Sequence, residues 1–285
     1  MQFTYECLPC VFKQIHQLVS KATDDSQTRE KLLREMLASM ANMDWDGPPT
    51  DFSRDQQLIV KQVIGNDTDL FLVEKDLSTE LAKEVWEEIA EQAAREHDPF
   101  EAALRLAIGG NIIDYGIDGS FQLSEAKGRL FEVLALPLAP SRIAALQNAM
   151  NKAKKIFYVL DNCGEAVFDR LLIEQFGGKI TLGVRGMPVL NDVTRRELAS
   201  SGLAGYPVVD TGDCTPGVSS RYADPAFFQA MRQADLVIAK GQGNFETMDD
   251  YDRPIFFLFR AKCSVVAKHL GGVELGSLQV IGKNV

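Results

Sequence analysis

The sequence predicts an α/β fold: a doubly wound, Rossmann-like parallel sheet with an α-helical N-terminal region. Three observations carry that expectation. Up to about residue 153, apolar residues recur at helical spacing almost throughout. From Lys154 onward, short β-branched and aromatic runs appear with helical stretches between most of them. Strands that alternate with helices imply a parallel sheet covered on both faces. The change of rhythm divides the chain into an α-helical region, 1–153, and an α/β region, 154–285.

In chain order, Val11, Ile15, Leu18 and Val19 form a first apolar stripe, and Leu33, Met36, Leu37 and Met40 a second. Ser78 is placed as the N-cap of a helix that buries Leu81, Val85, Trp86 and Ile89. Further stripes are Phe100, Ala103, Leu104 and Ala107, then Ile143, Leu146 and Met150. The plain reading of each stripe is core. Gly47-Pro48-Pro49 and Gly109-Gly110 are breakers, and no internal repeat is present. The expected strands are Ile156–Leu160, Ile180–Val184, Pro207–Val209, Leu236–Ala239 and Ile255–Phe259. Ala166–Phe176, Val193–Ser200 and Pro225–Ala234 are the helices expected between them.

Composition removes several classes of function. The 285 residues include 40 acidic and 30 basic side chains, a formal charge of −10, so nucleic acid is disfavoured as a partner. An apolar share of 46% excludes disorder. No apolar run approaches the roughly 20 residues of a membrane span, and the start, Met1-Gln2-Phe3-Thr4-Tyr5-Glu6, lacks the pattern of a signal peptide. Five cysteines, an odd count, point away from a disulfide framework and toward a reducing cytoplasm.

In doubly wound sheets, ligands bind beyond the carboxyl ends of the strands, which reduces the search to five loops. They read Asp161-Asn162-Cys163-Gly164-Glu165; Arg185-Gly186-Met187-Pro188 running to Asn191-Asp192; Asp210-Thr211-Gly212-Asp213; Lys240-Gly241-Gln242-Gly243-Asn244-Phe245-Glu246; and Arg260-Ala261-Lys262-Cys263. Asp161, Asn162 and Asp192 offer oxygen donors suited to a hard or borderline divalent cation, with water completing the shell. His16, His97 and His269 lie away from these loops, so imidazole ligation is not expected. The amides of Gly241 through Asn244 suit phosphate oxygens, and Lys262 can neutralise them. With Arg185 they suit an anionic small molecule. Plainer roles stand beside these. Asp192, or Asp161-Asn162, could cap the following helix; Glu165 and Asp169 could complement a helix dipole; Lys262 could be a surface lysine.

Rival patterns are tested directly. A dinucleotide fold, or a methyltransferase using S-adenosylmethionine, wants a glycine-rich first loop, and here only Gly164 is present. Phosphatases of the haloacid dehalogenase type carry a second aspartate two positions after the first, where this chain has Cys163.

Six motifs follow in order: Cys7-Leu8-Pro9-Cys10, Gly110-Asn111-Ile112-Ile113-Asp114, Asp161-Asn162-Cys163-Gly164-Glu165, Asn191-Asp192-Val193-Thr194, Gly241-Gln242-Gly243-Asn244-Phe245-Glu246 and Lys262-Cys263. Together they resemble the damage-control phosphatase family, long catalogued as domain of unknown function 89, and most closely its CxxC-bearing bacterial and archaeal subgroup. The resemblance implies a helical region attached to a Rossmann-like domain. It also implies a metal-dependent phosphatase acting on small phosphorylated metabolites, such as sugar phosphates and damaged or side-product phosphates. Carried across by residue, it implies metal ligation by Asp161, Asn162 and Asp192 and a divalent ion (manganese, magnesium, cobalt or nickel). It implies substrate contact by Gln242, Gly243, Asn244, Phe245 and Glu246, with Lys262 on the phosphate and Asn111 and Asp114 facing the same cleft. Many relatives have an Asp-Pro-Tyr element ahead of a lysine in the helical part; this chain reads Thr68-Asp69-Leu70-Phe71.

Pro9 is expected to open the first helix, which puts Cys7 and Cys10 at a helix N-terminus, where thiolates are stabilised. A packing role is preferred for the pair over a redox or soft-metal role, because zinc normally needs four ligands and no second CxxC exists. The expected function is thus a cytoplasmic, divalent-metal-dependent phosphatase. A metal-bound water is preferred to Asp161 as the nucleophile. The competing readings are a methyltransferase and a non-enzymatic metabolite- or metal-binding regulator.

Overall fold

A computed structural model describes residues 1–65, 68–111 and 123–285. Before the sheet come α1 (Leu8–Ala22), α2 (Ser26–Ala41), α3 (Pro49–Ile64), α4 (Leu72–Arg95), α5 (Pro99–Gly109), α6 (Leu123–Ala135) and α7 (Pro140–Lys152). Prolines open α1, α3, α5 and α7, where the missing N–H costs no intrahelical bond. Asp25 and Asp98 cap α2 and α5 by accepting from first-turn amides.

Six strands follow: β1 (Ile156–Val159), β2 (Ile180–Val184), β3 (Val208–Asp210), β4 (Leu236–Lys240), β5 (Ile255–Arg260) and β6 (Leu278–Lys283). Their order is β3-β2-β1-β4-β5-β6, parallel through β5, with β6 antiparallel to β5. The direction of winding therefore reverses between β1 and β4, and that crevice is the topological switch point of the sheet. Interleaved among the strands are α8 (Cys163–Ile173), α9 (Pro225–Gln233), α10 (Gln242–Met248) and α11 (Ser264–His269).

Alternation along the strands sorts the core into two faces. Ile156, Tyr158, Leu182, Ile238 and Leu258 pack with Leu104 and Ala107 of α5 and with Leu146 and Met150 of α7. Phe157, Val159, Val237, Phe257 and Phe259 pack with Phe227 and Met231 of α9 and Phe245 of α10 on the other face. The first face takes two of its covering helices from the N-terminal side of residue 153, so the sheet and those helices share one core. A separate cluster joins α1, α2 and α3 through Val11, Ile15, Leu18, Leu32, Met36, Phe52 and Val60.

Four expectations need correction. Leu33 and Leu37 of the second stripe are exposed rather than core, and Leu32 and Met36 are the buried residues of α2. Ser78 does not cap a helix: α4 begins at Leu72, and the buried Ser78 hydroxyl donates to the Lys75 carbonyl inside it. The stretch 193–200 is not an α-helix. Only Arg195–Leu198 turns, as a 3₁₀ segment capped by Thr194 and Glu197 in a reciprocal capping box. The sixth strand was not anticipated. Among the described residues, no single helix is long and apolar enough to cross a membrane.

Candidate active site

The crevice between β1 and β4 is lined by the two aspartates expected there, brought together by main-chain pairing. Beyond β1, Val193 N donates to Asp161 O at 2.8 Å and Cys163 N to Asn191 O at 3.0 Å. Asn162 and Asp192 form an isolated antiparallel bridge. Two loops thus run side by side, and their carboxylates share one cleft. Asn162 occupies the N-cap of α8 but its side chain makes no capping bond, so its carboxamide is not used in closing the helix. Asp192 is no cap either, because Thr194 takes that role.

Arg185 braces both acids from below. It ends the loop side of β2, is 1% exposed, donates Nε to Asp192 Oδ2 at 2.7 Å and lies 3.5 Å from Asp161 Oδ1. Its Nη1 donates to Asn244 Oδ1 at 3.0 Å, which ties the pair to α10. Despite this brace, burial pushes the Asp161 carboxyl well above the carboxylate range, helped by the neighbouring Asp192 and Glu165 charges. Burial raises Asp192 as well, against the pull of Arg185.

Gly241 is required where it stands. Its φ is +79°, and a Cβ there would sit 2.0 Å from Asp161 Oδ2. Its own amide donates to Leu258 O, so the amides left to face a ligand are those of Gln242, Gly243 and Asn244 rather than all four expected. Gln242 joins two loops: its Nε2 donates to Glu246 Oε1 at 2.7 Å, and its Oε1 accepts from Lys262 N at 3.0 Å.

The resulting cavity is about 410 Å³. Asp161, Asn162, Asp192, Gln242, Gly243, Glu246 and Lys262 line it together. Arg185 and Asn244 lie beneath this surface, and Phe245 packs between Phe257 and Phe259. Asn111 is buried and donates Nδ2 to Glu165 Oε2 at 3.1 Å. Asp114 lies outside the described residues. The opposite side of the cavity comes from α1 and α3, through Cys10, Lys13, Gln14, Gln17, Thr50 and Ser53; of these only Cys10 was singled out from sequence, and not as a residue of this cleft.

Two buried lysines were also missed. Lys240, the last residue of β4, is fully buried; its Nζ donates to Glu165 Oε1, to Asp169 Oδ1 at 2.8 Å and to Ala107 O at 2.6 Å. Glu165 and Asp169 therefore hold a lysine instead of complementing a dipole, and Tyr158 Oη donates to Asp169 as well. Lys75 of α4 pairs with Asp69 at 2.7 Å and lies 3.9 Å from Glu197, behind the segment that presents Asp192. A lysine ending an otherwise apolar strand, β4, and two acids one turn apart on α8, the helix after the neighbouring strand β1, were the available signal for the first. Asp69 ahead of Lys75 was the signal for the second.

The donors test well for a divalent cation. Two adjacent buried carboxylates, both disfavoured by burial and Asp161 also by the Asp192 charge, are relieved by a cation between them, and Asn162 adds a neutral oxygen. Among the described residues, no group of three or more His, Cys, Asp or Glu is placed to hold a metal ion by itself. A cation held by this set would complete its shell with water or substrate oxygens, as hard ions do.

Fold and cleft define a Rossmann-like α/β protein with acid and amide oxygens and a lysine gathered at its switch point. The family described as the damage-control phosphatase ARMT1-like domain matches residues 3–277. A damage-control phosphatase of Pyrococcus horikoshii is 33% identical over 279 residues, covering 95% of this chain and 94% of its own length. One from Archaeoglobus fulgidus is 28% identical over 291 residues, covering 98% of each chain. A crystal structure of a DUF89 family protein from Pyrococcus horikoshii matches with a TM-score of 0.88 at 32% identity, covering 99% of both chains. The chain belongs to the damage-control phosphatase family, which sets its class as a phosphatase.

Proposed function

We propose that the protein is a divalent-metal-dependent phosphomonoesterase acting on a small phosphorylated metabolite, of the sugar-phosphate or damaged-phosphate kind. Region 154–285 supplies the metal and phosphate side of the cleft, and region 1–153 the opposite side. Asp161, Asn162 and Asp192 would hold the cation, which supplies Lewis-acid polarisation of the phosphoryl group when bound. Arg185 keeps the two carboxylates in register. Lys262 and the amides of Gln242, Gly243 and Asn244 hold phosphoryl oxygens and take up the charge that grows as the ester bond breaks. Glu246 and Gln242 fix the position of α10 against the Lys262 loop. The observation that carries the reading is the convergence of Asp161, Asp192, Gln242 and Lys262 on one cavity at the switch point.

The test is turnover of p-nitrophenyl phosphate and of a panel of phosphometabolites with magnesium, manganese, cobalt or nickel. Hydrolysis that needs one of these ions and stops with a chelator is expected. Hydrolysis unaffected by the chelator, or no hydrolysis with any ion, sinks the proposal.

A further inference from the structure

We propose that the α1–α3 side of the cleft binds a second anionic group on the substrate, with Lys13 as the residue that receives it. The inference deepens the phosphatase reading and rests on it. It makes the substrate class a phosphomonoester whose far end carries a carboxylate or another phosphate.

Charge within the cavity is divided by side. Asp161, Asp192 and Glu246 stand on the sheet side with Lys262. The helix side contributes Lys13, Gln14 and Gln17 from α1 and Thr50 and Ser53 from α3, with no carboxylate among them. Lys13 is exposed and makes no ion pair among the described residues, whereas Lys21 of the same helix is held by Glu74. A single phosphate engaged at Lys262 and the cation leaves Lys13 with nothing to neutralise. A second anion on the same ligand gives it a partner, and the pair strengthens as the ligand displaces water from the cleft.

An independent observation points to a ligand on this side. Thr50 is 6% exposed, and its hydroxyl has no hydrogen-bond partner among the described residues. A buried hydroxyl left unsatisfied is unfavourable, and a polar ligand atom at that point removes the penalty. Thr50 also adjoins Gly243, where an added Cβ would lie 3.6 Å from Thr50 Cγ2, so the hydroxyl belongs to the same space as the α10 loop. Next to it, Ser53 Oγ donates to Gln14 Oε1 at 2.7 Å, and the Gln14 amide nitrogen has no partner among the described residues. These groups suit hydroxyls lying between the two charged ends of a substrate.

The test compares matched substrates on the intact protein with its preferred ion. 3-Phosphoglycerate against glycerol 3-phosphate isolates a carboxylate; a hexose bisphosphate against the corresponding hexose monophosphate isolates a second phosphate. Wild type should favour the doubly anionic member of at least one pair by about tenfold or more in kcat/KM, and the favoured pair identifies which anion it is. In Lys13→Met that preference should fall to near parity, chiefly through KM, and Lys13→Glu should reverse it. Lys13→Arg should restore part of it. If p-nitrophenyl phosphate is hydrolysed but both wild-type ratios lie near one, or if Lys13→Met leaves the ratio unchanged, the inference fails while the phosphatase reading stands. If no phosphate ester is hydrolysed at all, both fail.

Discussion

The two sides of the cleft are built by different means. On the sheet side, position is fixed by the main chain and by buried charge. Asp161 and Asp192 are 8% and 3% exposed, their loops are stitched together by backbone bonds, and Arg185 locks them to α10. Behind them, Lys240 and Lys75 pin α8 and the 194–197 turn. On the helix side, Lys13 and Gln17 are exposed side chains on a helix whose other face packs into the α1–α3 cluster. The acids proposed to hold the cation sit where little can shift. Lys13, proposed to choose among substrates, sits where a substitution leaves the core untouched.

Removing the acids is the severest way to test that contrast. Asp161→Ala and Asp192→Ala should each lower activity by at least about a hundredfold and weaken metal binding. The two should separate in stability. Asp161→Ala deletes a carboxyl that burial and two neighbouring acids disfavour, so the metal-free protein should melt no lower than wild type. Asp192→Ala strips the buried Arg185 of its 2.7 Å partner and should cost about 3–5 kcal/mol. Equal melting temperatures would show that Arg185 is not the brace described here, and wild-type activity in both would remove the acids from the site.

Lys262→Ala should cost about 3 kcal/mol in kcat/KM, the usual loss for one donor to a developing oxyanion, with kcat and KM both affected. Lys262→Arg should regain only part, because a planar fork does not fit a point-charge position. Metal affinity, read by calorimetry, should hardly change. Unchanged kinetics would leave the phosphate without a lysine on the sheet side.

The buried network beneath the site carries a pH signature. Burial lifts the Asp169 carboxyl to about 6, against 3.8 for a free one, and the Lys240 charge only partly offsets this. The fold therefore favours the protonated form. That contribution is complete below 3.8 and is lost as pH rises through 6. Asp169→Asn is neutral throughout, so its cost in stability should be smaller at pH 8 than at pH 5 by between about 1 and 2 kcal/mol. A cost independent of pH would mean that Asp169 stays ionised in the fold.

The same contrast explains how much the sequence revealed. All five anticipated strands formed, with β3 displaced by a residue, because β-branched runs between helical stretches encode a buried parallel sheet locally. The meeting of Asp161 and Asp192 in one cleft was legible because each lies in the loop after a parallel strand. The sixth strand, Leu278-Gln279-Val280-Ile281-Gly282-Lys283, was missed: it is an antiparallel addition at the edge, and Gln279 and Gly282 break its apolar run. The 193–200 stretch misled because Val193 pairs with Asp161 in the main chain and so cannot join a helix. Lys240 takes partners 75 and 71 residues away, which no local periodicity records. On α1, the apolar stripe was correct, but nothing in it says that the polar face looks into the cleft.

The cysteine pair tests the boundary between the two sides, with the smallest expected effects. Cys7 is the N-cap residue of α1, makes no side-chain cap bond and packs against the α1–α3 cluster, with Thr4 Oγ1 at 3.7 Å from its sulfur. Cys10, one turn on, is exposed and lines the cleft. A packing role therefore belongs to Cys7 alone. Cys7→Ser should lower stability by about 1 kcal/mol, since a hydroxyl is less at home than a thiol against apolar side chains. Cys10→Ser should stay within about 0.5 kcal/mol of wild type, as exposed substitutions do. Neither should alter which metal supports the fastest turnover, because the carboxylates and carboxamide proposed to hold the ion suit hard ions without help from sulfur. Urea unfolding and a metal titration of each variant decide the matter. A changed metal preference in Cys10→Ser, with stability unaffected, would give the α1 side a ligand of its own and end the division between a side that reacts and a side that selects.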